Sequence, residues 1–104
     1  MEKVLIDLFT VPDESKPGFL EAARESARFL RTLPGFVDGF LHEQTDGDSP
    51  YTVITTAVWE SEAAFDNARR AAAEEFRTRG FNPQETMKRL NVQIKRAVYT
   101  RSRY

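Results

Sequence analysis

The chain has 104 residues, enough for one hydrophobic core and too few for two. Lys and Arg number 15 against 16 Asp and Glu, so no global charge draws the protein to nucleic acid or to a membrane surface. The absence of cysteine excludes a disulfide framework, thiolate metal sites and thiol nucleophiles together, and a lone histidine argues against a histidine-based metal centre.

The opening "MEKVLIDLFTVPDE" has a short apolar run broken by Asp7 and no small-residue cleavage site, so it does not read as a signal peptide, and no run reaches membrane-spanning length. A cytoplasmic protein is expected. Val4 to Val11 reads as a strand buried on both sides, ending at Pro12. From Ser15 to Leu33, Phe19, Ala22, Ala23, Ser26, Ala27, Leu30 and Leu33 form a stripe at helical spacing, with Pro17 in the first turn. "LPGF" stops that helix. Phe36 to Thr45 is a second strand, "DGDSP" a loop of turn formers, and Tyr51 to Glu60 a third strand rich in Val and Thr.

At Trp59, the only tryptophan, the period changes from strand to helix. Ser61 suits an N-cap, Glu62 the first turn, and Phe65, Ala68, Ala72 and Phe76 an apolar stripe that Gly80 ends. "NPQE" signals a further short helix to about Leu90, with Asn82 as cap and Pro83 first inside it, before a last strand from Val92 to Thr100 and a basic tail "RSRY". Strand, helix, strand, strand, helix, strand is an α+β, ferredoxin-like split βαβ order: a four-stranded antiparallel sheet with helices on one face, as one domain over residues 1–104. The other face needs cover as well. Val4, Ile6 and Leu8 lie on one side of the first strand and Leu5, Phe9 and Val11 on the other, so a homodimer packed sheet to sheet is expected.

The apolar first strand "IDLFTV", the turn "LPGF" and the junction "AVWESEAAF" together resemble the antibiotic biosynthesis monooxygenase family of dimeric α+β barrel proteins, over about residues 3 to 100. Relatives in that family include anthrone oxygenases, quinol monooxygenases and haem-degrading enzymes. The resemblance implies a monooxygenase acting on a small aromatic substrate with O2. In the anthrone oxygenase branch, which uses neither metal nor flavin, the motif tryptophan at the strand end is proposed to line the site and corresponds to Trp59. An asparagine four residues earlier in that branch is replaced by Thr55, and a polar first-strand residue, usually Asn, falls at Asp7. An arginine late in the second helix falls near Arg79. The second tryptophan and the haem-ligating histidine of the haem-degrading branch fall near Ala68 and Thr78, which disfavours haem chemistry of that type. No metal, flavin or nicotinamide site is expected from the usual motifs.

Each candidate also has a plain structural reading. Asp7, in an apolar strand, is costly to bury charged and alone, so it is either the partner of Arg96 or Lys95 on the last strand or a functional base. Trp59 is either a plug beneath the helix start or a cavity wall shared with Phe65 and Phe40. Thr55 shares a strand face with Trp59 but is also an ordinary strand residue. His42 belongs at a rim or surface, yet as the only histidine it stays a candidate. Arg77, Arg79, Lys88 and Arg89 read as a solvated helix surface. A monooxygenase using no cofactor would need only an apolar cavity, a base such as Asp7 and a means of steadying the substrate anion. The same fold could instead serve as a non-catalytic small-ligand binder or a dimerisation module.

Overall fold

A computed structural model describes residues 1–103. The chain runs β1 (Lys3–Thr10), a short 3-10 turn (Asp13–Ser15), α1 (Lys16–Leu30), β2 (Phe36–Glu43), β3 (Val53–Trp59), α2 (Glu62–Thr78), α3 (Pro83–Arg89) and β4 (Gln93–Tyr99). The four strands form one antiparallel sheet in the order β2-β3-β1-β4, the ferredoxin-like arrangement that the element order implies. The most apolar strand, β1, lies inside the sheet with a partner on each edge, which is where a strand without a polar face is stable.

Local chemistry sets most boundaries. Ser61 accepts a hydrogen bond from the Ala64 N–H at 3.1 Å and so caps α2, while the Asn82 side chain accepts from the Gln84 and Glu85 N–H groups at 3.0 and 3.2 Å and caps α3. Ser15 does not cap α1. Its hydroxyl donates instead to the Leu90 carbonyl at 2.5 Å and ties the first helix to the end of α3. The first helix also stops at Leu30, three residues before its apolar stripe runs out, because Pro34 disfavours helical backbone at Leu33.

Gly35 follows at φ +82, and a Cβ there would stand 2.4 Å from the Cβ of Ala64. Only glycine fits this contact. The "LPGF" turn is therefore pressed against the first turn of α2, and the Glu60 N–H donates to the Gly35 carbonyl at 2.9 Å.

Both helical layers cover the same side of the sheet. Phe9, Val11, Phe19, Val53 and Val92 make one core cluster, joined by Leu20, Leu41, Met87 and Ile94. Trp59, Phe65 and Ala68 make a second, joined by Leu5, Leu30, Leu33 and Phe36. By alternation Leu5, Asp7 and Phe9 share this helix-facing side of β1, and Val4, Ile6 and Leu8 face away. The far side is apolar and only partly covered: Val4 and Val58 are buried, while Phe40 and Tyr99 keep 56% and 49% of their surface exposed. No helix among the described residues is long and apolar enough to cross a membrane.

Candidate functional site

The two core clusters are separate, and a polar row of the sheet lies between them. Register places Thr55 of β3 and Arg96 of β4 on either side of Asp7, so Arg96, Asp7 and Thr55 lie side by side facing the helices, with Leu41 next along on β2. Asp7 is 6% exposed and is the one buried charged residue among those described. Arg96 meets it as a fork, Nε donating to Oδ1 at 2.7 Å and Nη2 to Oδ2 at 2.8 Å. Such paired, charge-assisted bonds are what allow a carboxylate to remain in a low-dielectric layer. The hydrogen bonds to Asp7 hold the Arg96 guanidinium above its ordinary value; burial works against this, and the attraction of the carboxylate charge adds to it.

Of the two sequence candidates for the partner of Asp7, Arg96 takes the place because it is the residue opposite in the ladder. Lys95 stands opposite Leu8 and points to the other side.

Arg96 is not itself enclosed. Its side chain is 59% exposed. On the same side of β4, Val98 is 45% exposed, although its neighbour in the ladder, Leu5, packs against the Trp59 cluster. The helical layer thus stops short of the second half of this edge strand, and the buried carboxylate meets solvent through its arginine.

Trp59 is 2% exposed, its ring edge-to-face with Phe36 at 5.4 Å and 82° and packed with Phe65 and Ala68 under the start of α2. It is a plug in this structure. Arg69 lies over the outer side of the Phe65 ring at 5.2 Å. Trp59 and Asp7 share a sheet face but are four residues apart along the β3 register, about 13 Å at strand rise.

The expected grouping of Phe40 with Trp59 and Phe65 around one ring does not form, and this corrects the sequence reading. A bulge between Phe36 and Asp38 places two β2 residues against one step of β3, which reverses the alternation. Phe36 therefore packs inward on Trp59, while Phe40 and His42 face the open side with their rings 6.1 Å apart. Gly39 is part of the same device, since a Cβ there would come within 3.1 Å of the Phe36 ring. Arg79, at the end of α2, pairs with Glu25 of α1 at 2.9 Å and with Glu75 at 3.7 Å, clamping one helix to the other at the surface.

Two shallow depressions lie elsewhere. One of about 180 Å³ is bounded by Thr10, Pro50, Tyr51, Gln93, Ile94 and Lys95, and one of about 230 Å³ includes His42, Tyr51, Thr52 and Ile54. Both flank the 44–52 loop, and neither reaches Asp7 or Trp59. No group of three or more His, Cys, Asp or Glu side chains is placed to hold a metal among the described residues.

Residues 4–78 match the sequence model of the antibiotic biosynthesis monooxygenase family. The chain belongs to that family. A candidate monooxygenase of Shewanella loihica PV-4 is 25% identical and superposes with a TM-score of 0.72, the match covering 99% of this chain and 96% of that one. SnoaB, a cofactor-independent oxygenase of Streptomyces nogalater, superposes at 0.69 with 20% identity over 99% and 95% of the two chains, a likeness of fold. A haem-degrading protein of Mycobacterium tuberculosis is 25% identical over 66% of this chain and 78% of its own, with a TM-score of 0.58. No curated protein is significantly similar in sequence. With this membership the chain is a candidate monooxygenase.

Arg96 is the residue of this polar row that the sequence named only as one of two structural counter-ions for Asp7. The available signal was an arginine on an otherwise β-prone last strand; what the sequence lacked was the rung on which it falls.

Proposed function

We propose that the chain is a monooxygenase that uses O2, without metal or organic cofactor, to oxidise a polycyclic aromatic of the anthrone or quinol type. The observation that carries this reading is the Asp7 carboxylate, buried on the helix-facing side of the family's fold with an outlet to solvent along β4. An activated CH2 or phenolic O–H gives its proton to Asp7; the resulting carbanion or phenolate passes an electron to O2, and recombination at carbon followed by loss of water converts CH2 and O2 into C=O and H2O. The electrons come from the substrate, so the protein's tasks are to bind, deprotonate and hold the anion. Thr55 borders the carboxylate on β3, and we assign Trp59 and Phe65 to holding the α2 end of the layer in place. SnoaB, of the same fold, is described as cofactor-independent, which accords with this reading.

We also take the chain to act as a homodimer through the open face, where Phe40, Tyr99, Ile6, Leu8 and Ile54 form an apolar surface that a second copy would cover. A stable monomer at micromolar concentration in sedimentation would overturn this.

A second reading is a non-catalytic protein, and the two depressions, which fall below the roughly 300–1,000 Å³ of small-molecule sites, favour its dimerisation form over its ligand-binding form. Oxygen uptake with 1,8-dihydroxyanthrone in metal-free buffer separates the two. The monooxygenase consumes one O2 per anthraquinone formed, and Asp7→Asn lowers turnover by about a hundredfold or more. Saturable binding with no uptake above the buffer rate supports the binder.

A further inference from the structure

We propose that Arg96 is the anion-binding residue of this site and that it works by exchanging partners, leaving Asp7 for the oxyanion of a phenolic or enolic substrate as Asp7 takes the substrate's proton. The inference rests on the aromatic-substrate reading above and goes beyond it by assigning the group that steadies the anion.

Three observations carry it. The fork to Asp7 uses Nε and Nη2, which leaves Nη1 without a hydrogen bond to any described residue. The side chain is 59% exposed, so the guanidinium has room to move, whereas the Asp7 side chain is only 8% exposed and does not. Beside Arg96 on the same side of the edge strand, Val98 is half-exposed and Leu5 is its ladder neighbour, an apolar floor next to a cationic donor. A planar aromatic carrying one acidic O–H matches that pairing: the ring lies on Val98 while the oxygen meets Nη1.

The charge arithmetic explains why the pair need not be a dead end for chemistry. A carboxylate with both oxygens held by a guanidinium gains little by accepting a proton, because doing so breaks the ion pair. If the proton comes from a group whose oxygen then faces the same guanidinium, one ion pair replaces another. The substrate O–H bond breaks, an Asp7 O–H bond forms, and the electron pair left on the substrate oxygen becomes the new partner of Arg96. Substrate, Asp7 and Arg96 together carry no net charge before or after the transfer, so no unpaired charge appears beside the apolar layer.

The test uses 1,2-dihydroxyanthraquinone, already oxidised and therefore inert to oxygenation, whose phenolate absorbs at longer wavelength than its phenol. Titrated with the wild-type protein, it is expected to bind as the anion, with its apparent pKa lowered by about one unit or more. Arg96→Gln removes that shift and Arg96→Lys keeps part of it. Because Arg96→Gln strands a buried carboxylate, the double variant Asp7→Asn with Arg96→Gln, a neutral amide pair checked for folding by its melting temperature, is titrated alongside and also shows no shift. An equal downward shift in the wild type and the double variant overturns the role of Arg96. Saturable binding to the wild type with an unshifted pKa overturns the inference and leaves the aromatic-ligand reading standing. No saturable binding to the wild type overturns both.

Discussion

On the helix-facing side of the sheet, Val53, Trp59 and Phe9 are shut from solvent; on the opposite side, Phe40 and Tyr99 keep about half their surface exposed. Both sides draw on the same strands, so the difference is not one of composition. Trp59 is shielded because α2 starts directly above it and Phe36 turns in beside it, whereas the described residues leave Phe40 56% exposed. The closed side also holds the buried charge and its arginine, where the low dielectric makes charge placement matter most. The open side keeps its charged and titratable groups toward the margins, Asp38 and His42 on β2 and Lys95 on β4 around Ile6, Leu8 and Ile54. One side thus encloses a charged pair, and the other leaves large apolar residues half-exposed.

The contrast can be broken most forcefully at Trp59. Trp59→Ala empties the larger part of the second core cluster and is expected to cost about 3–5 kcal/mol in chemical denaturation. A loss of less than about 1 kcal/mol would mean that the ring borders space rather than fills it.

Next comes Arg96→Gln, which leaves the Asp7 carboxylate without its fork and is expected to cost about 1–3 kcal/mol, largely restored by adding Asp7→Asn. A base held above its ordinary value in the folded state contributes stability that is complete below the unfolded value and is lost only as pH rises through the folded one. For Arg96 that window lies at extreme alkali, so the difference between wild type and Arg96→Gln should be the same at pH 7 and pH 9. A difference that disappears between those values would show that the pair is not what Arg96 contributes.

Ser61→Ala removes the cap that starts α2 over Trp59 and is expected to cost about 1 kcal/mol. The same change at Ser15, which caps no helix, tests whether the tie to Leu90 has comparable worth. The smallest effect on the fold of one chain belongs to the open side: Phe40→Ser is expected to change unfolding of the monomer by no more than about 0.5 kcal/mol. In sedimentation the same variant should shift the protein towards monomer. A large loss of monomer stability with unchanged association would reverse the roles assigned to the two sides.

Much of the fold was legible in the sequence because its signals are local. The change of period at Trp59, the caps at Ser61 and Asn82 and the stop at Pro34 each depend on a few neighbouring residues, and the elements appear in the expected order, with α1 ending three residues early and β2 and β3 each shorter than expected. The division of β1 into two sets, Leu5 and Phe9 on one side and Ile6 and Leu8 on the other, also follows from strict alternation. That Asp7 would need either a partner or a functional role also followed from its sequence surroundings. Which residue that partner is, and on which side of the sheet Phe40 and His42 stand, depended on register. Arg96 meets Asp7 because β4 pairs with β1 on one particular rung, and the bulge after Phe36 reverses the parity of everything beyond it on β2. Register is settled by the summed packing of Leu5, Phe9, Val53 and Trp59 against α1 and α2, residues distant in sequence, and a shift of one position would have sent every side chain of the strand to the other face. Local chemistry in the sequence therefore determined the elements and their order, and only tertiary packing decided which side chains meet.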